Sequence, residues 1–318
     1  MALPIRPPVA PQLARPRRSL PPAPGWAYEP KWDGFRALAF VDGTLDQLQS
    51  RNGRPLERYF PEVRFSPGRY VVDGEIVILA ADGRQSFDVL SQRIHPAASR
   101  VERLARETPA RFVAFDLLAR DDESLVALPF RHRRAALEQL VAELDNPFDL
   151  TPSVAQTHDA EPWLHRAEGV VAKELDAPYR PGERAGMVKV KRVRTIDCVV
   201  MGWRPGKEAA TVGSLILGLS DEAGALHVVG HSSGFTAARK RELVGELAPF
   251  ESGRRGSAEP SRWNNARELE WIELRPELVV EITFDHSSDG RIRHGARVQR
   301  FRDDKPAQEC LLEQLDDP

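Results

Sequence analysis

Cysteine is almost absent from this sequence: Cys198 and Cys310 stand far apart, with no C-x-x-C spacing. That excludes a disulfide framework and a thiolate zinc site, and it fits a reducing cytoplasm. Long apolar runs are missing too. The longest, "IVILAA" at 76–81, is far too short to span a bilayer. A net charge of −2 excludes a uniformly basic coat for nucleic acid, while local basic patches stay open. The first 25 residues hold eight prolines and no apolar core. They are not a secretory signal, and are expected to form an extended arm laid over a domain or a disordered leader. No internal repeat is found.

Lysine is the other scarcity. Of 45 cations only seven are lysines: Lys31, Lys173, Lys189, Lys191, Lys207, Lys240 and Lys305. Arginine keeps its proton in proteins, whereas a desolvated or crowded lysine can lose it. Each lysine is thus a candidate for chemistry that arginine cannot do. What remains of the composition, 318 residues with 41% hydrophobic and 29% charged, describes a soluble globular chain of one large or two ordinary domains.

The first half mixes strands with helices. "RALAFVDG" and "LDQLQSRNG" read as a hairpin through Asp42-Gly43, and "GRYVVDGEIVILAADG" as a strand bounded by turns. "PAASRVERLARE" and "FRHRRAALEQLVAEL" have helical periodicity with arginines on the polar side, and "ARFVAFDLLAR" reads as a short buried strand. After residue 192 short strands alternate with glycine turns, with one helical interval at "TAARKRELVGELAPF". That pattern suggests a small barrel of OB size, joined near "KVKRVRT" at 189–195. "FESGRRGSAEPSRWNN" reads as an exposed loop.

Several stretches carry candidate chemistry. In "YEPKWDGFRALAF" (28–40), Asp33-Gly34 is a strong turn signal, and alone it favours a hairpin over a nucleophilic Lys31. In "VVDGEIV" (71–77), alternation puts Val71, Asp73, Glu75 and Val77 on one face. Two carboxylates there are costly unless a metal, a sugar hydroxyl or a cation meets them, but a turn is an equal reading. "EGVVAKEL" (168–175) reads most simply as an apolar strand with Glu168 and Lys173 solvated at its tips. "MVKVKR" (187–192) places Lys189 and Lys191 on one face, which suits a phosphate better than a protected sheet edge. "RIRHGARVQRFRDDKP" (291–306) packs six cations into sixteen residues, as a patch for nucleic-acid backbone or a mobile set of phosphate ligands.

In order, "KWDGFR", "SRNG", "DGEIV", "FVAFDLL", "EGVVAK", "MVKVKR" and "RFRDDKP" resemble the motif series of the covalent nucleotidyltransferases. Within these the chain is similar to bacterial ATP-dependent DNA ligases, the stand-alone LigC type and the ligase module of LigD. K-x-D-G alone is weak; seven motifs in order over nearly the whole chain are strong. The resemblance implies an α+β fold: a nucleotidyltransferase domain of antiparallel sheets with flanking helices at 26–193, after the arm at 1–25, then an all-β OB-fold barrel at 194–318. The second domain would swing between ATP-loading and DNA-sealing positions.

The implied activity is sealing of 5′-phosphate/3′-hydroxyl nicks in DNA repair, through a lysyl-AMP enzyme and an AMP–DNA intermediate. Lys31 would attack the α-phosphate of ATP, for which it must be partly deprotonated. Glu29 would read the adenine amino group, Phe115 would stack on the ring, and Arg36 and Glu75 would hold the ribose. Glu168, with Glu75, would bind Mg²⁺ or Mn²⁺, and Lys189 and Lys191 would hold the α-phosphate. Arg51 would meet the 5′-phosphate at the nick, while Arg302, Asp304 and Lys305 would orient the leaving pyrophosphate. The implied partner is nicked duplex DNA in the bacterial cytoplasm or nucleoid, with no membrane and monomer as the default. A Ku-like end binder or a repair polymerase or primase enters by analogy.

Three features depart from the pattern: Met187 replaces a bulkier residue, the segment from Asp145 to Glu168 is short, and no N-terminal DNA-binding domain is expected before the arm. The last implies modest, salt-sensitive affinity for DNA. Rival readings are an RNA ligase, a capping guanylyltransferase, or a non-catalytic OB-containing nucleic-acid binder.

Overall fold

The strands of the first unit form two sheets that pack into hydrophobic cores and face a shared cavity. The computed structural model describes residues 3–80, 83, 85–145, 148–257, 270–288, 290–294 and 296–315. The chain divides into two units, Met1–Arg192 and Val193–Pro318.

The first unit runs β1 (Arg15–Arg17), β2 (Trp26–Pro30), β3 (Phe35–Gly43), β4 (Leu45–Ser50), β5 (Gly68–Val77), α1 (Phe87–Ser91), α2 (Ala98–Glu107) and β6 (Arg111–Arg120). It continues with β7 (Glu123–Ser124), α3 (Phe130–Glu143), β8 (Asp149–Leu150), the one-turn helices α4 (Thr157–Ala160) and α5 (Trp163–Arg166), then β9 (Val170–Glu174) and β10 (Met187–Val190). The larger sheet has the order β4-β3-β5-β6-β7, with β8 beside β6; the smaller is β1-β10-β9-β2. The proline-rich segment contributes β1, which pairs in parallel with β10 at the sheet edge.

Asp42-Gly43 does close the β3–β4 hairpin, with Gly43 at φ 69°. Asp33-Gly34 does not close one, because β2 pairs with β9 while β3 pairs with β4 and β5. The Asp-Gly step instead carries the chain from one sheet to the other. Gly34 is needed there for close approach: a Cβ would drive into the carbonyl oxygen of Ile76. Gly34→Ala is therefore expected to cost about 1–3 kcal/mol, read as a lower melting temperature in calorimetry.

On β3 and β5, Ala37, Ala39, Val72 and Ile76 enter one core, while Leu38, Phe40 and Val71 enter a second on the opposite face. The arginines of α3 do not all face water. Arg133 is buried and makes a two-pronged pair with Asp116, Nε–Oδ1 at 2.8 Å and Nη2–Oδ2 at 3.0 Å. Helical periodicity missed it because a guanidinium can be buried when a planar carboxylate answers it.

The second unit contains β11 (Arg194–Pro205), β12 (Val212–Ser220), β13 (Leu226–Ser232), α6 (Ala237–Leu247), β14 (Glu251–Ser257), β15 (Glu270–Leu274), β16 (Val279–Phe284), β17 (His286–Ser288), β18 (Arg291–His294) and β19 (Arg297–Phe301). The long β11 pairs with β12 along one edge and with both β15 and β16 along the other. Val199, Leu217, Leu243 and Ile282 meet in its core, so the short strands and α6 share one centre. The expected loop after Phe250 begins as a strand, since Glu251–Ser257 pairs with β15. The rest of that loop, 258–265, lies outside the described residues.

Candidate active site

β2, β9 and β10 of the small sheet face β3, β5 and β6 of the large one across a cavity lined by Glu29, Lys31, Arg36, Glu75, Phe115 and Lys189. Strand alternation explains the choice of lining residues. On β9 and β10, Val171, Lys173, Met187 and Lys189 face the cavity, while Val170, Ala172 and Val188 pack with Tyr28 in a core. On the large sheet Arg36 lies opposite Glu75 in register. Phe115 enters by a β-bulge: Asp73 pairs with Asp116 and Gly74 with Ala114, so Phe115 is the extra residue, turned toward the cavity. Leu13 and Ala14 of the N-terminal arm complete one wall.

Lys31 leaves the end of β2 with its amide donating to the Gly169 carbonyl at 2.9 Å. Its Nζ donates to Glu168 Oε2, and Lys191 Nζ lies 2.6 Å from Glu168 Oε1. One carboxylate thus joins the two lysines. Burial alone would raise the Glu168 carboxyl, but Lys31 and Lys191 hold it below its usual value. The adjacent Gly169 has φ 145°, and a Cβ there would strike the Val190 carbonyl. This glycine lets Glu168 pass close to the end of β10. The short segment before it is occupied by β8 and the one-turn helices α4 and α5.

Lys189 completes the cationic group: burial, then Lys31 and Lys191, lower its proton affinity. Burial pushes the Glu75 carboxyl up to about 7 despite the opposing charges of Lys31 and Arg36. Among the described residues no group of three or more His, Cys, Asp or Glu side chains is placed to hold a metal.

Glu29 is buried on the cavity wall. Its Oε2 lies 2.9 Å from Lys173 Nζ, and its Oε1 has no hydrogen-bond donor. Lys173 is therefore not a solvated strand tip. It is 3% exposed, donates to the Phe115 carbonyl at 2.7 Å, and sits 4.6 Å from the centroids of both Phe115 and Phe130. The sequence of β9 could not reveal this, because the covering comes from β6 and α3.

Arg36 also lies over Phe115, 4.7 Å from its centroid. It is held by Asp73 through Nε–Oδ1 at 2.7 Å and Nη2–Oδ2 at 2.6 Å. Tyr179 donates to Asp73 Oδ2 at 2.6 Å and accepts from the Gln12 amide at 3.0 Å. The two carboxylates of "VVDGEIV" have thus separated: Asp73 meets cation and phenol, while Glu75 faces the cavity. Gln12, Tyr179 and Thr151, which accepts from Trp32 Nε1 at 2.9 Å, carry no motif that singles them out.

Arg51 follows β4 as an exposed residue lining the cavity. Arg302, Asp304 and Lys305 belong to the second unit and form their own network. Arg302 Nε meets Asp304 Oδ1 at 2.8 Å, and Lys305 Nζ meets Asp197 Oδ2 at 3.0 Å. The Arg302 hydrogen bonds hold the Asp304 carboxyl down to about 2.

The model of the ATP dependent DNA ligase domain matches residues 11–191, and that of the ATP dependent DNA ligase C terminal region matches 208–305. The chain is 44% identical to DNA ligase C2 of Mycolicibacterium smegmatis, over 100% of this chain and 97% of that protein. It is 42% identical to DNA ligase C of Mycobacterium tuberculosis, over 100% and 96%. A solved Lig E DNA ligase shares the fold, with TM-score 0.60 and 20% identity over 92% of this chain and 98% of that one. The architecture is thus a nucleotidyltransferase domain followed by an OB-fold domain, and the chain belongs to the ATP-dependent DNA ligase family, with DNA ligase C as its likeness.

Proposed function

We propose that this chain seals 5′-phosphate/3′-hydroxyl nicks in duplex DNA, with ATP as the AMP donor. The observation that carries the reading is Lys31 Nζ, joined through Glu168 to Lys191, in a cavity that Glu29 also lines. An adenine amino group is a donor that the Glu29 carboxylate can accept. In the first step Lys31 gives up its ammonium proton to solvent, its nitrogen bonds to the α-phosphorus with loss of a second proton and pyrophosphate leaves, with Lys189 and Lys191 facing the phosphate charge. The 5′-phosphate oxygen of the nick, met by Arg51, then takes AMP from the lysine. Last, the 3′-hydroxyl attacks the 5′-phosphorus, AMP departs and the strand is continuous. Arg36 and Glu75 hold the ribose; adenine stacks on the Phe115 face, from which Arg36 must yield. Arg302, Asp304 and Lys305 act on the leaving pyrophosphate.

A divalent cation fits this site. Glu75 and Glu168 line one cavity with Lys31, and Mg²⁺ commonly uses one or two carboxylates together with substrate phosphates. Bound there, Mg²⁺ or Mn²⁺ would neutralise phosphate charge. A repair role in a bacterial cytoplasm accords with the LigD relatives, which are named as multifunctional non-homologous end joining proteins. The test uses a duplex with one nick, labelled at its 5′-phosphate. ATP-dependent conversion to full-length strand is expected, with none when the nick carries a 5′-hydroxyl. Failure of the 5′-phosphate duplex to convert would contradict the reading.

A further inference from the structure

The two oxygens of Glu29 meet different cations in different ways. Lys173 Nζ lies 2.9 Å from Oε2, within hydrogen-bonding distance. Arg134 Nη1, on α3, stands 3.5 Å from Oε1 without hydrogen-bonding to it, and both atoms are buried with no other partner. Two other contacts hold the Arg134 guanidinium in place. Its Nε is tied to Glu138 Oε1 at 2.7 Å and its Nη2 donates to the Thr151 carbonyl at 2.9 Å. The guanidinium therefore gives Glu29 a fixed neighbouring charge.

From this geometry we infer that Arg134 is a positioning residue that sets the choice of nucleobase, by holding positive charge beside the Glu29 carboxylate. The inference rests on the reading of Glu29 as the adenine contact. An ionised carboxylate accepts from the exocyclic amino group of adenine and repels the carbonyl oxygen that guanine places there. A protonated carboxyl can donate to that oxygen instead, so base choice follows the state of Glu29. The charged groups that act on Glu29 are Lys173 on β9, Arg134 on α3 and Asp116 on β6. Burial raises its proton affinity, the two cations oppose this, and Asp116 adds to it. The sign follows: as pH falls Glu29 gains a proton, ATP loses its advantage and GTP gains.

The experiment measures labelling of the pyrophosphate-discharged protein by ATP and by GTP, each radiolabelled at the α-phosphate, from about pH 6 to pH 8.5. The readout is the ratio of the two kcat/KM values. The chemistry of Lys31 is common to both nucleotides and cancels in it. Arg134→Gln is expected to lower the ATP:GTP ratio about tenfold at the acid end and less at the alkaline end. Arg134→Lys should keep the wild-type ratio. Glu138→Gln, which removes only the outer anchor, should leave it unchanged as well. Glu29→Gln, which cannot ionise, should abolish the pH dependence of the ratio.

A lower melting temperature for Arg134→Gln with the ratio unmoved at every pH would overturn the inference, since that is what a purely structural role gives. A ratio that still titrates in Glu29→Gln would overturn it too, because the responsible group would lie elsewhere. Absence of label from both nucleotides on the wild-type protein would overturn the ligase reading, and this inference with it.

Discussion

Lys31→Ala is expected to take no label from ATP and to seal no nick, a loss on the order of 10⁴-fold or more. The size follows from the proposed chemistry: there the lysine nitrogen forms the bond to phosphorus, so its removal deletes a reactant and not merely a contact. Lys31→Arg should fail equally, because a guanidinium keeps its proton and is no nucleophile. The fold should survive, since Lys31 lies on a cavity wall and its side chain supports no core. Lys207→Ala and Lys240→Ala, changed in the second unit, should label normally. Labelling of Lys31→Ala at the wild-type rate would place the nucleophile elsewhere.

Asp73→Ala should produce the largest structural loss, about 3–5 kcal/mol. Asp73 is fully buried and takes two hydrogen bonds from Arg36 and one from Tyr179. Deleting it leaves Arg36, with 20% of its side chain exposed, without its carboxylate. The same arginine lies over Phe115, so nucleotide binding should weaken along with stability. Burial, with Asp73 beside it, holds the Tyr179 phenol well above its usual range, so Tyr179 stays a donor. Tyr179→Phe removes only that donor and should cost about 1 kcal/mol. Urea titration distinguishes the two: a midpoint for Asp73→Ala no lower than for Tyr179→Phe would show that the charge pair contributes little.

The sequence announces those parts of the site that depend on period and order. For Glu75, Lys189 and Lys191 a period of two assigns a face without knowing the partner strand, while Glu29 and Lys31 are singled out by the order of the motifs. The parts that escape depend on what packs from elsewhere. Lys173 reads as a solvated tip until β6 and α3 cover it with Phe115 and Phe130. Phe115 owes its aim to a bulge, which is a property of the β5–β6 register and not of either strand alone. Asp33-Gly34 has turn chemistry, yet β2 pairs with β9 and β3 with β4 and β5, so this step crosses between sheets. Gln12 and Tyr179 come from distant segments with no motif, and only the fold brings them to Asp73 and Arg36.

The most direct measurement is the position of the AMP. The protein is discharged with pyrophosphate, incubated with ATP and Mg²⁺, digested, and its peptides sequenced by mass spectrometry. The account predicts one acid-labile AMP adduct, on the nitrogen of Lys31 in the peptide "YEPKWDGFR". An adduct confined to Lys189, Lys191 or any other residue, or none on protein that seals nicks, would contradict it.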